Sequence, residues 1–113
     1  GKAVLTGNVV ARDDTGTLRS RRLIIRYADS GDTVLSYEAF GKVRIDYTNI
    51  DARSEYAYRD ARADTLLLQE KAYVLRNGNE FWADRITIDL RTSEITMDGS
   101  VRGNLRSRKE GKP

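Results

Sequence analysis

Leu35-Ser36-Tyr37-Glu38-Ala39-Phe40-Gly41-Lys42-Val43-Arg44-Ile45-Asp46-Tyr47 is the stretch on which the reading of this chain turns. Its odd positions, Leu35, Tyr37, Ala39, Gly41, Val43, Ile45 and Tyr47, are apolar, aromatic or small. Its even positions carry Ser36, Glu38, Lys42, Arg44 and Asp46, with Phe40 the exception. Successive side chains of a strand point to opposite faces, so this alternation describes one long strand with a buried and a wet face. Working outward, Ala3, Leu5, Gly7, Val9 and Ala11 repeat the pattern. So do Leu66, Leu68, Ala72 and Val74, and then Ile95, Met97, Gly99 and Val101. Turn signals separate the runs: Asp13 to Gly16, Asp29 to Asp32, Tyr47 to Asn49, Asn77 to Asn79 and Arg91 to Ser93. The only proline is Pro113, so no strand is interrupted by one. The expectation is an antiparallel all-β domain.

A repeat underlies the alternation. Leu5-Thr6-Gly7-Asn8-Val9 returns as Ala39-Phe40-Gly41-Lys42-Val43, Leu68-Gln69-Glu70-Lys71-Ala72 and Met97-Asp98-Gly99-Ser100-Val101. A second phrase lies between the copies: Ser20-Arg21-Arg22, Ser54-Glu55-Tyr56 and Ala83-Asp84-Arg85. The period of roughly 30 residues marks repeated β-units. At the second phrase the alternation changes parity: Leu18 and Ser20 are even, while Leu23, Ile25 and Tyr27 are odd. Phe81 and Ala83 are odd, while Ile86, Ile88 and Leu90 are even. Without an extra residue there, half of each strand would turn its apolar set to water, so a bulge or sharp bend is expected at each site. The mid-strand glycines Gly7, Gly41 and Gly99 fit the same bend. Ala52 to Leu68 also tolerates a helix. Its gap-free alignment to the strand-like segment Ala83–Val101 argues for β-structure.

Composition narrows the chemistry. The chain of 113 residues reads as one domain and contains no cysteine and no histidine. Disulfides and thiolate metal sites are therefore excluded, and the commonest general base and metal ligand are missing. No nucleophile elbow, phosphate-binding loop or metal motif occurs. The nearest carboxylate pairs, Asp13/Asp14 and Asp60/Asp64, sit at turns, where aspartate serves backbone geometry. Neither catalysis nor a cofactor is expected. The formal charge of +3 arises at the C-terminus. Arg102, Arg106, Arg108, Lys109 and Lys112 against Glu110 give residues 102–113 a net +4, leaving −1 for the first 101. The body thus lacks the basic face of a nucleic-acid binder. The domain is expected over residues 1–105, and 106–113 read as a basic, disordered tail. No apolar run is long enough to span a membrane. No signal peptide is visible before the first strand, at Gly1-Lys2, as in a processed chain.

The phrases Leu5-Thr6-Gly7-Asn8-Val9 and Ala83-Asp84-Arg85-Ile86, in phase with their degenerate copies, resemble the OstA-like β-jelly-roll family of lipopolysaccharide-transport proteins. The likeness is greatest to its LptA-like members, and the same fold occurs in LptC- and LptD-type components. The resemblance implies an open antiparallel β-jelly roll, a V-shaped sandwich of repeated strand units. It also implies a periplasmic location, binding of lipopolysaccharide through its lipid A, and partnership with LptC- and LptD-type jelly rolls. A further half-unit before Lys2 would complete the family pattern. Glu70-Lys71-Ala72 replaces Gly-Asn-Val in the third unit, so that position need not share the glycine's backbone conformation.

Within that fold the alternating apolar set becomes the lining of a lipid groove: Leu5, Val9, Leu23, Ile25, Tyr37, Val43, Ile45, Leu68, Val74, Phe81, Ile86, Ile88, Ile95, Met97 and Val101. On the residues alone the same set reads as a filled sandwich core, which would make the domain a structural module that adds its sheet edges to neighbours. Arg19, Arg21 and Arg22 are candidate phosphate contacts at a groove mouth, or else a solvated face. Trp82, opposite in parity to Phe81, is expected outside or at a rim. The first strand, Lys2 to Arg12, bears charge only at its ends and is a poorly defended edge, which points to head-to-tail self-association.

Overall fold

The computed structural model describes residues 1–106. The expected tail lies almost wholly outside them. Eight strands follow one another: β1 Lys2–Arg12, β2 Gly16–Tyr27, β3 Val34–Tyr47, β4 Ile50–Asp60, β5 Thr65–Arg76, β6 Asn79–Asp89, β7 Glu94–Asp98 and β8 Arg102–Asn104. They form one antiparallel sheet in the order β1-β2-β3-β4-β5-β6-β7, with β8 also on β6. The segment that tolerated a helix is β4 and the start of β5. The two facing layers are halves of this single sheet, which folds over itself along a line crossing every strand.

That fold line is the sequence repeat. Between Leu5 and Val9 of β1 lie four steps, but only three separate their partners Leu23 and Ser20 on β2. The same mismatch recurs between Phe40 and Val43 of β3 against Tyr56 and Ser54 of β4, and between Gln69 and Ala72 of β5 against Arg85 and Ala83 of β6. The odd strands thus carry one more residue around the corner and keep their parity. The even strands carry one fewer and switch. Both expected bends, near Arg21–Arg22 and near Asp84–Arg85, fall on this line.

Local chemistry explains both phrases. Gly41 (φ 80°) within β3 and Gly99 (φ 78°) between β7 and β8 turn the chain through the left-handed region, where a Cβ is strained. Glu70 occupies the same place with φ 65°, followed by Lys71 at 58°. The sequence left the conformation at Glu70 open, and the structure gives it the glycine conformation: the bends on both sides impose it, whatever the side chain. In the second phrase, Ser20 Oγ donates to the Arg22 carbonyl (3.0 Å) and Ser54 Oγ to the Tyr56 carbonyl (2.8 Å). Each buried hydroxyl satisfies a carbonyl at the bend. Ala83 has no hydroxyl, and there the Asp84 N–H donates to the Gly99 carbonyl across the corner (2.8 Å).

On the first limb, before the corner of β1, lie Leu23, Ala39, Ala57, Leu66, Leu68, Ile86 and Ile88. On the second lie Val9, Leu18, Val43, Ile45, Ala52, Ala72, Val74 and Ala83. Together they make one core. In β3, Val43 and Ile45 are buried while Lys42 and Arg44 are exposed, as the alternation requires. Ser36 is the exception, an even position that is nevertheless buried.

Candidate functional site

The inward faces of the limbs enclose an apolar space that differs along its length. At its centre Ile45, Leu66, Leu68, Val74, Ile86 and Ile88 have 0% exposure, so the limbs touch and the interior is filled. Toward β1 they separate around a cavity of about 310 Å³. Leu18, Leu23, Ile25, Val34, Tyr37 and Tyr47 are among its walls. Toward β7 a second opening of about 350 Å³ is lined by Phe81, Ile95 and Met97 beside Arg76, Asn77 and Asn79. The apolar interior therefore opens at both ends of the sheet.

The expected lining residues divide accordingly. Leu23, Ile25 and Tyr37 meet at the β1 cavity. Phe81, Ile95 and Met97 meet at the β7 opening. Val43, Ile45, Leu68, Val74, Ile86 and Ile88 form the filled middle, and Val9 is buried at the edge of it. Leu5 and Val101 are exposed, at 39% and 53%: Leu5 lies on the outermost strand β1, and Val101 lies between β7 and β8. The candidate phosphate contacts are not at the cavity. Arg19 alternates with buried Leu18 and Ser20, Arg22 precedes buried Leu23, and all three arginines are exposed on the outer side or the corner. Arg21 packs along the corner, where a Cβ on Gly41 would lie 3.2 Å from its Cβ.

Polar contacts close the gap between the limb tips. The Tyr37 and Tyr47 hydroxyls, one on each limb, are hydrogen-bonded at 3.2 Å. Burial, followed by the neighbouring Tyr47, pushes the Tyr37 phenol far above its ordinary range, so it stays neutral. Arg76 Nη1 of the second limb donates to the Ser93 carbonyl at the tip of the first (2.5 Å). Arg59 also faces the β1 cavity but carries its charge already matched: its Nη2 donates to Asp64 Oδ1 (2.7 Å) and its Nη1 to the carbonyl of Asp60 (2.9 Å). Sequence reasoning missed Arg59 because the parity switch at Ser54-Glu55-Tyr56 hides which face it takes. Leu18 and Tyr47 were present in the inward alternation, although not singled out as lining.

Trp82 lies on the outer face as expected. It packs against Tyr73 with ring centroids 5.3 Å apart, and the Arg102 guanidinium stands 4.7 Å from its ring centre. These contacts fasten β8 to β6. The turn carboxylates serve backbone geometry: Asp13 Oδ1 accepts from the N–H groups of Thr15 (2.7 Å) and Gly16 (3.1 Å). Asp60 Oδ1 accepts from those of Arg62 and Ala63 (both 3.0 Å). Among the described residues no group of three or more acidic side chains is placed to hold a metal ion. Among the same residues no helix is long and apolar enough to cross a membrane.

Comparison with known proteins agrees with this geometry. No curated protein sequence matches the chain. In fold the chain is similar to LptH of Pseudomonas aeruginosa, described as the LptA-homologous periplasmic component of the conserved lipopolysaccharide transport device. The two superpose with a TM-score of 0.86 over 95% of this chain and 85% of that one, at 14% sequence identity. The model of the family described as LptA/(LptD N-terminal domain) LPS transport protein matches residues 1–94. The bent, repeated sheet with its apolar interior is thus the scaffold of that family, and the chain belongs to the LptA/LptD N-terminal-domain family of lipopolysaccharide transport proteins.

Proposed function

We propose that this protein is a non-catalytic carrier segment, located in the periplasm, that shields the acyl chains of lipopolysaccharide between its two limbs. The observation that carries the reading is the apolar interior open at both ends. Each methylene withdrawn from water contributes about 0.8 kcal/mol, so a lipid with several chains needs a continuous apolar surface to cross an aqueous space. The limb tips are joined by few polar contacts, chiefly Tyr37–Tyr47 and Arg76–Ser93. Parting them would uncover the filled middle and connect the two openings.

The sheet edges support end-to-end assembly with LptC- and LptD-type jelly rolls or with further copies. Among the described residues β1 pairs only with β2, and its Val4 and Val10 are exposed at 48% each. At the other end, among the same residues, β7 and β8 pair only with β6. An unpaired edge recruits another strand, and two different edges meeting head to tail can propagate. Stacking in this way would place the β7 opening of one domain against the β1 cavity of the next. The test is native mass spectrometry with purified lipopolysaccharide. The expected spectrum shows protein carrying whole lipid molecules, and a lipid-free protein at saturating lipopolysaccharide would contradict the proposal.

A further inference from the structure

Each end of the groove offers a different chemical environment, and the β1 cavity is much the more apolar. Leu18, Leu23, Ile25 and Val34 surround it, and the hydrogen-bonded phenols of Tyr37 and Tyr47 are also among its walls. Its volume is about 310 Å³. A methylene group needs the ~30 Å³ that a water molecule takes in the liquid, so roughly ten carbons fill the space. Several chains of a lipid A cannot enter together while the limbs stay joined.

The rim carries three charged residues, Arg12, Asp13 and Arg59. Asp13 Oδ1 is occupied by the β1–β2 turn, and the Arg59 guanidinium by Asp64. Arg12 forms neither an ion pair nor a side-chain hydrogen bond among the described residues and is exposed. It is the rim cation left to meet a ligand headgroup.

We infer that the β1 cavity of the closed protein is a binding site for one single-chain anionic amphiphile, an alkanoate of about ten carbons with its carboxylate at Arg12. The inference rests on the reading that the interior accepts acyl chains, and it names what the unopened interior can take. It separates two events: one chain fits the cavity as it stands, whereas a lipid with several chains requires the limbs to part.

Isothermal titration calorimetry of the whole chain with straight-chain alkanoates from six to sixteen carbons tests this. Affinity should rise about fourfold per methylene and level off near ten carbons. Decan-1-ol should bind more weakly than decanoate, and decyltrimethylammonium more weakly still. Arg12→Glu should cost decanoate about tenfold and leave decan-1-ol within twofold. Ala11→Trp, a filling substitution at a partly exposed position of the edge strand, should abolish binding of all three, with an unchanged circular dichroism spectrum confirming the fold. Affinity that keeps rising to sixteen carbons would overturn the closed single-chain site. Equal or tighter binding of the cationic amphiphile would overturn the role of Arg12. No binding of any chain would overturn the site altogether. Lipopolysaccharide binding measured on the same samples separates that failure from failure of the carrier function.

Discussion

Exchanging the residues at two equivalent corner positions should move stability in opposite directions. Gly41 and Glu70 stand at the same step of the repeat, with φ of 80° and 65°. The left-handed region costs a residue with a Cβ about 1–2 kcal/mol. Replacing glycine by alanine also removes freedom from the unfolded chain, worth about 0.4–1 kcal/mol in the other direction. Gly41→Ala should therefore destabilise by about 1 kcal/mol. The new Cβ would lie 3.2 Å from both Cβ and Cδ of Arg21, which adds to the cost. Glu70→Gly relieves the same strain and should stabilise by up to about 1 kcal/mol. Glu70 is exposed and makes no side-chain hydrogen bond among the described residues, so little is lost with it. For a domain of this size the shifts correspond to about 4 °C in Tm, down for Gly41→Ala and up for Glu70→Gly. Urea unfolding followed by circular dichroism measures both. A destabilised Glu70→Gly, or a Gly41→Ala as stable as the parent, would refute the claim that the corner imposes this conformation at every odd strand.

Trp82→Ala should destabilise by about 3 kcal/mol through loss of the Tyr73 packing and the Arg102 contact. Hydrogen exchange should show early loss of protection in β8, whereas unchanged protection there would mean that Trp82 does not fasten the strand. Tyr37→Phe should cost about 0.5–1.5 kcal/mol and speed exchange at the limb tips more than at the corner; a uniform change would show that the phenol pair does not join the limbs. Stability should also fall in acid. At Asp13 burial opposes ionisation, but hydrogen bonds from Thr15 and Gly16 outweigh it; at Asp60 the Ala63 N–H leads, and both carboxyls titrate below their ordinary 3.8. Depressed carboxylates contribute stability above that value and lose it as pH falls through their folded values. The double variant Asp13→Asn, Asp60→Asn should thus flatten the acid limb between about pH 5 and 2, and an unaltered limb would place the acid sensitivity elsewhere.

The architecture was readable because two periodicities coincide. Alternation assigned the inward faces of β3 and β5, and the parity switches at Ser20-Arg21-Arg22 and Ala83-Asp84-Arg85 located the corner. The backbone at Glu70 was left open because residue identity reports conformational preference, while here the neighbouring bent strands decide the backbone. Lining residues could not be separated from core. Leu68 and Leu23 share the same alternating pattern, and only the local spacing of the limbs places one in the filled middle and the other at a cavity. Arg19, Arg21 and Arg22 looked like a groove mouth because they adjoin a parity switch, yet the switch is the fold line, which lies farthest from the limb tips.

Site-specific photocrosslinking to lipopolysaccharide tests the central claim most directly. A photoreactive residue at Ile25 in the β1 cavity, or at Phe81 in the β7 opening, should capture the lipid. The same residue at Ile24 or Thr87, whose strand neighbours Leu23, Ile86 and Ile88 point into the core, should not. Capture at Ile25 and Phe81 alone is the result expected of an interior carrier; equal capture at all four positions, or at none, would contradict it.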